Sequence, residues 1–180
     1  MSIQDEIKVL CGNGRLLKRA RNAPRGPALR SLYMSTLRID GYPSIVDKLG
    51  DTSSSTQTRE RWSQAAAYLD AFIERSSITI PPNSRRAGYA FMSRLEPPPE
   101  ELWDIRCFGP KPGLRIFGRF ADKDVFIALT WNYRENLASD VEYAKAGDRA
   151  VRQWGMLFAS YFVGNYPDDY ITGAVLSTDL

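Results

Sequence analysis

The sequence predicts an α+β domain: two helices, a twisted antiparallel sheet of three to four strands, and a long C-terminal helix. Three observations lead there. From Arg59 to Arg75 apolar side chains recur at helical spacing, as Trp62, Ala65, Ala66, Leu69, Phe72 and Ile73. Residues 102–108, 113–121 and 124–133 then alternate with period two, separated by short turn segments, the pattern of an antiparallel meander. Helical spacing returns after Ser139, with Val141, Ala144, Ala150, Val151, Trp154, Leu157 and Phe158 through about Phe162.

In chain order, Ser2 caps a first helix over residues 2–11, with Asp5 and Glu6 in its first turn and Ile3, Ile7 and Leu10 at helical spacing. Gly12 and Gly14 end it. Residues 16–21 predict a short basic helix, Pro24, Gly26 and Pro27 a break, and residues 28–37 a weak helix with Leu29, Leu32 and Tyr33 on one side. The small polar run of residues 51–58 marks the entry to a core domain. Thr58 heads the strong helix that follows. Ile78 and Ile80 form a short extended stretch, and residues 85–94 predict a second, shorter helix ended by Pro97-Pro98-Pro99. The organisation is then a basic, partly helical segment over 1–56, a core over 57–162, and an irregular acidic tail over 163–180.

Composition bounds the function. A chain of 180 residues suits one domain with an extension. Aromatics at 12% argue against disorder. No apolar run of roughly 18 residues predicts a membrane span, and the first residues lack the basic-then-apolar order of a secretory signal. Cys11 and Cys107 stand far apart and read as reduced thiols of a cytoplasmic protein. Histidine is absent, which removes the commonest general acid and base and makes a structural zinc site implausible on chemical grounds. No metal or cofactor is expected. Net charge is +3, but eight basic residues and no acidic one lie between Ile7 and Ile39. Such a segment, with Lys18, Arg19 and Arg21 at its centre, suits nucleic acid or an acidic protein, or else is a solvated arm.

Alternation assigns the faces of the predicted sheet. One carries Trp103, Ile105, Cys107, Leu114, Ile116, Phe120, Val125, Ile127, Leu129 and Trp131, an apolar face for helices to cover. The other carries Asp104, Arg106, Phe108, Arg115, Phe117, Arg119, Phe126, Ala128, Thr130 and Asn132. Guanidinium groups meet phosphates and aromatic rings stack on unpaired bases, so this face suits single-stranded nucleic acid, with Lys111 in the adjoining turn. The competing reading is a second layer, with the N-terminal residues covering the phenylalanines.

The strand pattern resembles the RelE/HigB superfamily of toxin ribonucleases, in particular its phage-derived branch, over about residues 57–160. Trp103-Asp104-Ile105-Arg106 matches the family's first strand motif, Leu114-Arg115-Ile116-Phe117 the second, and Leu129 to Arg134 takes the place of the third. In the family the third strand commonly ends in an aromatic residue followed by two lysines; here it reads Tyr133-Arg134-Glu135. The N-terminal segment is foreign to the short toxins, or supplies their first strand near residues 33–39. The resemblance implies an endoribonuclease acting on mRNA without a metal, at the ribosome or free of it, and neutralised by an antitoxin. Arg106, Arg115 and Arg134 would stabilise phosphorane charge, Tyr133 would donate a proton, and Glu135 or Asp104 would act as base. Arg119, Phe117, Phe108 and Lys111 would hold RNA. The alternative is a non-enzymatic phage or mobile-element protein on the same fold that binds a protein partner or nucleic acid.

Overall fold

The computed structural model describes residues 1–21, 24, 26–82, 89–96 and 100–177. Its class is α+β, but the sheet is larger and differently wired than the sequence predicts. Six strands lie in the order β1-β2-β7-β6-β5-β4, where β1 is Leu16–Lys18, β2 Ser31–Ser35, β4 Met92–Glu96, β5 Leu102–Cys107, β6 Leu114–Asp122 and β7 Val125–Tyr133. The sheet is mixed: β2 runs parallel to β7, and the other neighbours are antiparallel. A separate parallel pair joins β3 (Ile78–Ile80) to β8 (Ala174–Leu176). Among the described residues five α-helices accompany them: α1 (Ile3–Gly12), α2 (Ile45–Leu49), α3 (Thr56–Glu74), α4 (Asp140–Leu157) and α5 (Pro167–Tyr170). None of the helices among the described residues is long and apolar enough to cross a membrane.

The predicted meander is present in β5, β6 and β7. The differences lie outside it. The helices predicted at residues 16–21 and 28–37 are strands β1 and β2. Leu32 and Met34 bury on the α3 side of the sheet while Tyr33 packs on the other, a period of two that tertiary pairing enforces over local propensity. Residues 92–94, expected to close a second helix, open β4; residues 83–88 and 97–99 lie outside the described residues. Ser55 rather than Thr58 caps α3, accepting from the Thr58 amide at 3.3 Å. Helix α4 begins after Ser139 as expected, but stops at Leu157 and is not the last element. The tail, predicted irregular, holds α5 and β8, with Tyr170 fully buried.

Helices cover both faces of the sheet. On one, Trp62, Leu69, Phe72 and Ile73 of α3 pack against Trp103, Ile105, Ile116, Phe120, Phe126 and Ala128. On the other, Ile7 and Leu10 of α1 with Ala146, Ala150 and Trp154 of α4 cover Phe117, Ile127 and Leu129. This corrects the assigned faces of β7. A register shift between Phe117 and Gly118 opposes Phe117 to Thr130 but Gly118 to Ala128, so β7 carries one extra residue. A bulge of that kind flips the alternation. Phe126 and Ala128 therefore point toward α3, and Val125, Ile127 and Leu129 toward α4. Gly118 permits the close approach: a Cβ there would stand 2.2 Å from the Ile127 carbonyl oxygen.

Candidate nucleic-acid interface

At one end of the sheet a polar group crosses four strands. Ser93 pairs with Asp104 between β4 and β5, while Arg106, Arg115 and Asn132 stand abreast on β5, β6 and β7. Alternation places Asp104, Arg106 and Arg115 on one side of the β5–β6 hairpin. Asp104 is the centre. The Arg106 Nε lies 3.4 Å from its Oδ1 and the Arg115 Nε 3.3 Å from its Oδ2. Arg106 also donates to the Ser93 hydroxyl at 3.2 Å. The carboxyl has no exposed surface, and burial raises its pKa against the opposing pull of the two guanidiniums.

An aromatic column leads from this group to the surface. The Arg115 guanidinium lies over the Phe108 ring at 5.6 Å, and Phe108 meets Tyr89 at 5.7 Å. Tyr89 is 85% exposed. The β5–β6 loop beside it presents exposed Lys111 between cis bonds at Gly109-Pro110 and Lys111-Pro112. Phe108, Arg106, Arg115 and Lys111 are thus brought to one end of the fold. Asn132, expected on the same face, joins them, as do Ser93 and Tyr89, which sequence reasoning missed because both fall in a segment that reads as helix. Alternation across β4 was the signal that would have found Ser93.

The remaining expected residues go elsewhere. Tyr133 and Glu135 turn to the α3 side. The Tyr133 hydroxyl accepts from Trp62 Nε1 at 3.4 Å, and Arg61 lies over the Tyr133 ring at 4.9 Å while pairing with Glu135 at 3.2 Å. Arg134 turns toward α4, donating to the Leu137 carbonyl at 2.7 Å with its guanidinium over Tyr143. Arg119 is 4% exposed, between the Trp154 and Tyr161 rings at 5.6 and 5.0 Å, and burial lowers its pKa. Phe117 is fully buried against Tyr143. The assembled catalytic set that the resemblance implied is therefore divided between the two sides of the sheet.

The basic N-terminal residues are engaged by α3. Arg19 pairs with Asp70 at 2.9 Å and Arg21 with Glu74 at 3.0 Å. Lys18 is exposed over Tyr33. A cleft of about 910 Å³ runs along α3 beside them, lined by Arg19, Lys48, Arg59 and Arg75 but also by Asp51, Asp70 and Glu74. Alternating charge of this kind is a poor track for phosphates. Both cysteines are free thiols, and burial pushes the pKa of Cys107 up. No three His, Cys, Asp or Glu side chains gather as metal ligands among the described residues.

Comparison with family models, with curated proteins and with solved structures found no match.

The chemistry open to the sheet end follows from its parts. Arg115 and Lys111 can neutralise phosphate, and Tyr89 and Phe108 offer ring faces. Asp104 is sealed from solvent, so it cannot meet a ribose hydroxyl in this arrangement. Tyr133 and Glu135, the expected proton carriers, lie across the sheet.

Proposed function

We propose that this protein binds single-stranded RNA at the end of the sheet formed by Arg115, Phe108, Tyr89 and Lys111, without cleaving it. The Tyr89–Phe108–Arg115 column carries the reading. A base stacking on exposed Tyr89 brings its phosphate toward exposed Lys111, while the mostly buried Arg115 guanidinium, held by Asp104 and Phe108, adds its charge from behind the Phe108 ring. Asp104 orients the arginine rather than transferring a proton. The separation of Tyr133 and Glu135 from Arg106 and Arg115 favours binding over catalysis.

Binding of a labelled oligo-uridylate, followed by fluorescence anisotropy over a salt series, tests this. Affinity falls with salt, and Arg115→Ala weakens binding about tenfold while lowering the salt slope by about one. Tyr89→Ala weakens binding by a similar factor and leaves the slope alone. Absence of RNA binding at low salt, or indifference to both substitutions, sinks the proposal.

The second reading is the endoribonuclease neutralised by an antitoxin. It draws support from the antiparallel β5–β6–β7 meander followed by helix α4, with Arg106 opposite Arg115. Growth arrest and RNA cleavage on induced expression in a bacterial host, both lost in Arg106→Ala/Arg115→Ala, would promote it above the first.

A further inference from the structure

The loop between β5 and β6 has a second cationic neighbour besides the Tyr89–Phe108–Arg115 column. Cys107, Leu114 and Tyr133 lie abreast at the ends of β5, β6 and β7, and Arg134, the next residue along, donates its amide to the Gly113 carbonyl at 2.8 Å. Phe108 and Arg134 therefore flank the loop that carries Lys111, two strand spacings or about 10 Å apart. Both lie on the side of the sheet that α4 covers. Phe108 follows Arg106 in the alternation and holds the guanidinium of Arg115, which shares a face with Phe117; Arg134 lies against Tyr143 of α4.

Arg134 is held as a platform. Its Nη1 donates to the Leu137 carbonyl at 2.7 Å, which fixes the guanidinium over the Tyr143 ring at 5.7 Å, and Phe117 braces that ring edge-on at 6.4 Å. The residue is exposed, as is Lys111. Among the described residues no carboxylate pairs with either. Arg134 is thus an accessible cation without a counter-charge, and its plane is fixed. A guanidinium plane stacks on a base while its remaining N–H groups meet phosphate. The order of the first column is reversed here: the cation stands outermost and the ring behind it.

Building on the RNA-binding reading, we infer that the bound strand runs on past Lys111 to a second subsite, where a base stacks on the Arg134 guanidinium backed by Tyr143. At about 3.4 Å per stacked nucleotide, the roughly 10 Å between the subsites holds about three steps, so the footprint is about four nucleotides. Tyr89 takes the base at one end and Arg134 the base at the other.

Competition against labelled oligo-uridylate at low salt, on the full chain, compares a uridine dinucleotide with a tetranucleotide. Wild type binds the tetranucleotide about tenfold more tightly. Arg134→Lys keeps the charge but loses the plane, and it cuts that gain to about threefold or less, the factor that three registers on a single subsite supply. Tyr143→Leu does the same. A wild-type gain of only threefold, in a chain that binds oligo-uridylate through Tyr89, overturns the second subsite and leaves the RNA-binding reading standing. A tenfold gain that survives Arg134→Lys also overturns it. Absence of any oligo-uridylate binding removes both. Where Tyr143→Leu fails to fold, Arg134→Lys, a change at an exposed side chain, decides the matter alone.

Discussion

Asp104→Asn is the substitution that most directly tests the architecture of the sheet end. The carboxylate is fully buried and stands 3.4 Å from Arg106 Nε and 3.3 Å from Arg115 Nε, whose residues are only 5% and 8% exposed. At an effective dielectric of about 20, each contact is worth about 5 kcal/mol of Coulomb energy. Asparagine removes both and turns donor hydrogens toward two donors. The guanidinium tips rotate toward water and recover about half of this, so the net loss is about 5 kcal/mol, in line with breaking other buried ion pairs. That is a large share of the stability of an ordinary domain. Urea unfolding followed by tryptophan fluorescence measures it, with the slope held common to both proteins. The triple change Asp104→Leu/Arg106→Met/Arg115→Met removes the charges together and recovers most of the loss, while abolishing RNA binding. A loss below about 1 kcal/mol for Asp104→Asn, or a triple variant no more stable than the single one, refutes the reasoning that the carboxylate is what makes two buried arginines tolerable.

Three other outcomes follow. Gly118→Ala forces a Cβ to within 2.2 Å of the Ile127 carbonyl oxygen and 2.5 Å of the Phe126 ring, so it destabilises by about 3 kcal/mol, read as a fall in melting temperature. Glu135→Gln breaks only the pair with Arg61 on a half-exposed side chain, so it costs less than about 1 kcal/mol and leaves RNA affinity unchanged; a tenfold change in affinity would return Glu135 to the functional site. Asp47 is held down to about 2, chiefly by the Arg38 guanidinium and also by the Ser44 cap. Its folded pKa is below the unfolded one, so its contribution is complete above the usual aspartate range and is lost as pH falls toward 2. The stability difference between wild type and Asp47→Asn should therefore be constant near neutrality and shrink across that acidic window.

The parts of the fold that were legible are those whose own side chains declare a period. Trp62, Leu69 and Phe72 mark α3, and Trp103, Ile105 and Cys107 mark β5, because each stripe meets the core directly. Strands β1 and β2 are too short to declare anything; β2 is a strand because β7 pairs with it, and Ser31 and Val125 are far apart in sequence. The bulge beside Gly118 is likewise silent locally, since one added residue changes no composition, yet it reverses the faces of five residues of β7. The same holds at the candidate site. Arg106, Arg115 and Phe108 were readable because one tight hairpin carries them. Tyr133 illustrates a conflict: two residues after Trp131 it continues the alternation onto the core side, whereas the family pattern gives it a role beside the arginines, and the structure seats it beside Trp62. Arg119 shares a strand with Arg115, but four residues along it is about 13 Å away, under the end of α4.

The parallel pairing of β2 with β7 has a consequence for synthesis. Ser31 meets Val125, so 94 residues (125 − 31) must leave the ribosome before that edge of β2 finds its partner. At about 5–20 residues per second this is roughly 5–20 s during which the strand can pair only with β1. Through that interval the nascent chain presents an apolar edge, Leu32 and Met34 included, to whatever else is nearby. The chain therefore depends on a late strand, β7, to protect an early one, β2, and truncation before β7 should yield a species that associates rather than one that folds in part.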